Sequence, residues 1–371
     1  MKSKIRNSSF ELLRILSMFA IVMHHYGVHG TFNQQVFNPQ TIGSMQIGLF
    51  LQAFGKVGVI LFVMIGAYFL SEKRFQFRRP VNLALTMILY SFGIYGGLLL
   101  FTNVIVGDSV NQFKMVLLPF PLPSGYWFVY SYLFLLLAMP VLNLILNCFS
   151  QRKLLLLLIG MYILWSLLPV GLAMFNAKPD TAPTDFGYSY GTYFLFIYLV
   201  AGYVRRYSGK FLNSKVKTGL AALMLLAINW CWVLLLHSQR AVNYYCNWTD
   251  TNGPLILITA IYIFAFFKDV NVHSKFINYI AKSMFGVYLI HDNSFIRPLL
   301  WTHWISSAKV AHYPWLYLLQ SVGYPLVIFG VCVLIDIVLR RLILGNFLNR
   351  VTVAISTLLR KQVNRVLQTN D

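Results

Sequence analysis

The sequence predicts an all-α, polytopic integral membrane protein: about ten transmembrane helices, both termini cytoplasmic, in the cell membrane. Three observations carry this. Of 371 residues, 58% are hydrophobic and only 11% charged, less than half the roughly 25% of an average soluble domain. The apolar residues come in long blocks, several reaching the roughly 20 residues needed to cross the hydrocarbon. Thirty Lys and Arg stand against ten Asp and Glu, a formal net charge of +20, and the cations cluster between the blocks. A soluble nucleic-acid binder of that charge would be rich in charges throughout. That composition excludes nucleic acid as a partner, and with it a soluble globular enzyme, a disordered tail protein and a disulfide-stapled secreted domain.

Taken in order, the blocks fall at 10–29, 47–70, 81–106, 124–147, 154–175, 188–204, 218–237, 253–268, 276–292 and 315–339. The first is long, contains Glu11 and Arg14, and is followed by no small-residue cleavage site after Gly30. It therefore reads as a retained span rather than a signal peptide. The second carries Lys56, and the third follows the basic run Lys73 to Arg79. The fourth opens on aromatics, the fifth follows Arg152 and Lys153, and the sixth closes on Arg205 and Arg206. Lys215 and Lys217 precede the seventh; the eighth and ninth are short; the tenth closes on Arg340 and Arg341. No internal repeat is evident, so an inverted-repeat transporter gains no support.

Cytoplasmic loops carry the excess of Lys and Arg. With the N-terminus inside, 22 of the 30 cations fall on the inner face and 5 (Lys114, Lys178, Arg240, Arg297, Lys309) on the outer, leaving Arg14, Lys56 and Lys282 within spans. Residues 1–341 form the transmembrane domain. Residues 342–371 form a basic amphipathic tail, suited to a helix on an anionic inner leaflet. The outer segment 293–314, with Trp301, Trp304 and neighbouring Trp315, suits an interfacial helix. Cys148, Cys231, Cys246 and Cys332 are scattered with no metal-ligand spacing, and no metal is expected.

A charge in the bilayer costs at least ~2.5–3.5 kcal/mol, so each needs a reason. In ELLRILSMFAIVMHHYGVHG, Glu11 to Gly30, eleven residues separate Arg14 from His25, which returns to within roughly 20° of one helical face at a rise of about 16 Å. Glu11 sits one turn before Arg14 and can neutralise it. One stripe thus carries Glu11, Arg14, Met18, Val22, His25 and His29, while His24 points about 100° away. Asp336, one turn before Arg340, most simply pairs with it. Lys56 and Lys282 must face a cavity or a partner.

This first span resembles the start of the membrane acyltransferase-3 family, bacterial O-acyltransferases of surface glycans, whose hallmark is an Arg, ten residues, then a His: here Arg14 and His25. SGYWFVYSYLFLLLAMPVLN (Ser124 to Asn143) and KSMFGVYLIHDNSFIRPLLW (Lys282 to Trp301) are similar to two further blocks of that family. The resemblance is closest to the branch that acetylates exopolysaccharides and capsules. The family's Arg-x-x-Arg motif is replaced by a basic loop, Lys73 to Arg79.

Such a resemblance implies acetyl transfer from cytoplasmic acetyl-CoA to a hydroxyl of a cell-surface or exported glycan, or a lipid-linked sugar. It assigns His25 as general base, with Arg14 binding the anionic donor and Glu11 beside it. Histidine suits that task because its unperturbed pKa lies near working pH, and Arg forks match phosphate. Arg74, Arg78 and Arg79, with Arg205 and Arg206, are candidates to hold the nucleotide of CoA, a donor substrate rather than a tightly bound cofactor. Trp127, His291 and Asp292, at the outer ends of their spans, are the acceptor-side candidates; Asp292 would orient a histidine or meet a sugar hydroxyl. The rival class is a transporter or flippase of a glycan precursor, with Arg14, Lys56 and Lys282 along its path.

Overall fold

The computed structural model describes residues 7–31, 39–101, 125–175, 186–210, 212–235 and 248–368. The expected span ends 102–106 and 236–237, Cys246, and the cations Lys2, Lys4, Arg6, Lys114, Lys178 and Arg240 lie outside those residues. Among the described residues the chain is helical and contains no strand.

Helix α1 is Ser9–Tyr26, extended by a π turn, Gly27–Thr31. Helices α2 (Ile42–Leu70), α3 (Arg78–Phe101) and α4 (Trp127–Cys148) follow. Helix α5 runs Gln151–Tyr162, passes through a π turn at Ile163–Leu167 and ends as Leu168–Phe175. Then come α6 (Tyr190–Tyr207), α7 (Lys215–Leu234) and α8 (Pro254–Lys268). The chain closes with α9 (Lys275–Ile280), α10 (Met284–His291), α11 (Pro314–Val338) and α12 (Gly345–Gln368).

Several starts are written locally. Ser150, Ser189, Ser214 and Ser274 each accept a backbone N–H of the first turn they precede, satisfying a donor that the helix leaves open. Pro254 and Pro314 sit in the first turn of their helices, where a missing N–H costs nothing. Pro140 and Pro325 lie inside α4 and α11, which neighbouring helices make tolerable in a membrane.

Six stretches among the described residues are long and apolar enough to cross a membrane: α2, α3, α4, α5, α7 and α11. Helix α2 is the centre, packed by α1, α6, α7, α8 and α11. Its closest approach is to α1: a Cβ on Gly55 would meet His24 Cβ at 2.1 Å, and one on Gly58 would meet the Ser17 carbonyl oxygen at 2.6 Å. The absence of side chains there lets the two backbones nearly touch.

One expectation needs correction. The ninth span is two helices, α9 and α10, joined by a 3-10 turn at Ala281–Ser283 that leaves Lys282 exposed. Residues 293–314 hold a short helical stretch, Ile296–Pro298 running on without a break as a π-helix over Leu299–Trp304, and then a 3-10 turn at Ser307–Val310. Trp301 is fully buried, edge-on to Tyr26 at 6.4 Å, while Trp304 and Trp315 are exposed. A large apolar ring gains more from the core than from the interface when the turn aims it inward.

Candidate functional site

Helix α1 brings His25 to its last turn, and the π turn beyond it sets His29 against it, ring centroids 4.7 Å apart. Helix α10 ends on His291, with Asp292 as its cap. The two ends meet: His25 Nδ1 lies 3.0 Å from His291 Nε2 and 3.6 Å from Asp292 Oδ1. Around them lies a cavity of about 170 Å³, lined also by His24, Lys56, Trp127 and Arg297.

The hydrogen bonds assign the tautomers. His291 Nδ1 lies 2.6 Å from the Val287 carbonyl oxygen, which accepts only, so Nδ1 carries the proton and Nε2 of the neutral ring is an acceptor. His25 Nδ1–H therefore donates to His291, and the lone pair of neutral His25 sits on Nε2, which has no protein partner among the described residues. Asp292 is 1% exposed and held by Arg297, whose Nε donates to Oδ1 at 2.8 Å and whose Nη2 donates to the Asp292 backbone oxygen at 3.0 Å. Its charge stands ready beside His25, the arrangement that steadies an imidazolium once a proton arrives. Tyr126, buried, braces the same corner: its hydroxyl donates to the Leu289 carbonyl at 2.6 Å and accepts from Asn293 Nδ2 at 2.7 Å.

One ligand atom each from His25, His29 and Asp292 lie within 4.8 Å of one another, a spacing a metal ion could use. Here Asp292 Oδ1 already accepts from Arg297 and His25 Nδ1 is committed to His291. Asp292 Oδ2, by contrast, is buried with no hydrogen-bond partner among the described residues.

Across the cavity, Lys56 Nζ pairs with Asp250 Oδ1 at 2.8 Å and lies over the rings of Trp127 (5.6 Å) and Tyr190 (5.4 Å). Burial pushes the Asp250 carboxyl up, but the Lys56 ammonium and hydrogen bonds from Lys56 and Thr251 outweigh it and hold the group below its usual range. Trp127 and Tyr190 tilt against each other at 4.3 Å, and of the two Trp127 lines the cavity.

Arg14 lies near the other end of α1, paired with Glu11 at 2.6 Å as the spacing predicted. Arg79 Nη1 donates to the Arg74 backbone oxygen at 3.4 Å, and Arg78 donates to Asn349 of α12 at 2.7 Å. Arg205 and Arg206 are committed elsewhere. Arg205 binds Glu72, and that hydrogen bond holds the Glu72 carboxyl below its usual range. Arg206 donates to the Leu146 carbonyl and to Asn147, capping α4.

The structure thus brings together His25, His291, Asp292 and Trp127, and places Glu11, Arg14 and the Arg74 to Arg79 loop away from them. Sequence reasoning did not pick out Arg297, or Asp250 as the partner of Lys56. Their signal was scarcity: with ten acids in 371 residues, each acid beside a span must have its cation. A family model described as an acyltransferase domain matches residues 7–338. No curated protein and no solved structure matches the chain.

Proposed function

The chain belongs to the acyltransferase-3 family, and on that premise we propose that it is an integral-membrane O-acetyltransferase moving acetyl from cytoplasmic acetyl-CoA to a hydroxyl of a cell-surface or exported glycan. It lies in the inner membrane with about ten spans and both termini cytoplasmic, so Arg14 is near the donor side and His25 near the acceptor side. The observation that carries the reading is the relay: an accessible Nε2 lone pair on His25 whose opposite nitrogen is fixed by His291 and backed by Asp292.

In this reading the acceptor hydroxyl gives its proton to His25 Nε2 as its oxygen attacks the thioester carbon. Asp292 offsets the charge gained by the imidazole. The tetrahedral oxyanion faces a wall that includes Arg297 and Lys56, and fixed positive charge in a dry site lowers its energy. Collapse breaks the C–S bond, and the imidazolium returns its proton to the leaving thiolate of CoA. Arg14 and Arg79 hold donor phosphates, with Arg74 and Arg78 nearby. Trp127 presents its ring to the sugar.

The test is the acetyl content of surface glycan in cells making wild-type or His25→Ala protein at matched levels. Loss of acetylation is the expected result; retained acetylation overturns the assignment. Incubating purified protein with labelled acetyl-CoA and acceptor glycan separates this activity from transport, which needs no acetyl donor.

A further inference from the structure

A second cavity, which shares the lining residue Phe285 with the one at the histidine relay, opens where α3, α10, α11 and α12 converge. Its volume is about 320 Å³. Lys282, Arg340 and Asn82 supply polar lining, and Leu89, Phe285 and Leu348 supply an apolar wall.

The polar end is built, not incidental. Asp336 is 2% exposed; it accepts from the Tyr90 hydroxyl at 2.6 Å and from Arg340 Nε at 3.0 Å. Gly286 permits this, since a Cβ there would meet Asp336 Oδ1 at 1.9 Å. Arg340 Nη2 reaches back to Ser283 Oγ at 3.2 Å. Arg340 is thereby fixed and its charge largely offset by Asp336. Lys282, on the exposed 3-10 turn, makes no ion pair among the described residues. Arg78 adds a further cation at the rim through its hydrogen bond to Asn349 of α12.

A pocket with an unspent ammonium, fixed N–H donors and an apolar wall, set between membrane helices at the basic end of the bundle, matches one ligand chemistry: a phosphodiester joined to acyl chains. Basic pockets of this kind between membrane helices bind anionic head groups. We propose that Lys282, Arg340 and the inner face of α12 form a binding site for an anionic phospholipid, whose phosphate sits at Lys282 and whose chain lies along Phe285 and Leu348. The bound lipid clamps the basic tail helix against α3.

Phosphate could also come from CoA, so the experiment carries both. Delipidated full-length protein in detergent is melted while titrated with phosphatidylglycerol, phosphatidylcholine or free coenzyme A. Phosphatidylglycerol should raise Tm saturably and phosphatidylcholine should not. Lys282→Ala should raise the half-saturating phosphatidylglycerol concentration about fivefold and Lys282→Glu several times more, as expected for one cation near a phosphate. Lys282→Arg should behave as wild type. Leu348→Trp, which fills the apolar wall, should weaken lipid binding with Lys282 intact and serves if the Lys282 variants melt early without lipid. An equal response to phosphatidylcholine overturns the site, as does an unchanged half-saturation in Lys282→Glu. A response to coenzyme A alone, lost in Lys282→Glu, reassigns it to the donor. No acetyl transfer is read, so the result is independent of the proposed reaction.

Discussion

His25 owes its chemistry to two neighbours with separable jobs. His291, locked by the Val287 carbonyl, accepts the Nδ1 proton and so exposes the Nε2 lone pair; Asp292 supplies charge at 3.6 Å without taking the hydrogen bond. Substituting each in turn separates the jobs. His291→Phe keeps a flat ring but removes the acceptor, leaving His25 free to take the wrong tautomer. Turnover should fall about 10²–10⁴-fold, the range for losing a general base, while His291→Gln, whose Oε1 can still accept, should retain more. Asp292→Asn keeps an acceptor for Arg297 and removes the charge. The loss should appear in kcat rather than KM, because the imidazolium exists only once reaction begins. Steady-state kinetics on purified protein distinguish these outcomes; equal activity of the Phe and Gln variants would remove His291 from the relay.

At the scale of elements, α2 positions both sides of the cavity. Its Gly55 face admits α1, and its Lys56 reaches Asp250 in the segment before α8. Gly55→Val would drive a branched side chain into His24, and overpacking of this kind costs about 1–3 kcal/mol. A lower melting temperature together with lost activity is expected, because the end of α1 must move. Lys56→Met leaves Asp250 without its cation and should cost about 3 kcal/mol, the low end for one partner of a buried pair, since Asp250 is a third exposed. Lys56→Met combined with Asp250→Asn should recover part of the loss in melts of the four proteins. The sign with pH follows from the depressed Asp250 carboxyl: its stabilisation is present above the unfolded value near 3.9 and is lost as pH falls through the lower folded value. Only part of this was legible in sequence. Glu11 with Arg14 and Asp336 with Arg340 announce themselves at helical spacing, whereas Lys56 with Asp250 and His25 with His291 are joined only by the packing of distant segments. The break at Ala281–Ser283 left no mark because its residues are ordinary helix formers.

For the whole molecule, the apolar blocks fall on helices, and six of these stand out by apolar length. Helices α1, α6, α8 and α10 are short or carry polar residues, and their faces are largely enclosed by neighbours. An enclosed helix need not be apolar all round. Topology then rests on geometry and charge together. Ser8 donates its N–H to the Val272 carbonyl at 2.6 Å, and Ser8 Oγ donates to the Ser274 carbonyl at 3.2 Å, tying the N-terminal end of α1 to the link between α8 and α9. The relay, at the other end of α1, lies beside the turns that hold Trp301 and Trp304. If α1 spans the membrane, these two ends face opposite compartments, and the inner excess of Lys and Arg puts Ser8 inside. In a variant lacking Cys148, Cys231, Cys246 and Cys332, Trp304→Cys should react with a membrane-impermeant maleimide in intact cells. Leu358→Cys on the exposed face of α12 should react only after permeabilisation. Both positions are exposed, at 65% and 61%, so lack of labelling reports the membrane rather than burial. Labelling of Leu358→Cys in intact cells would invert the molecule and put the relay on the donor side, where a glycan destined for the surface would not meet it.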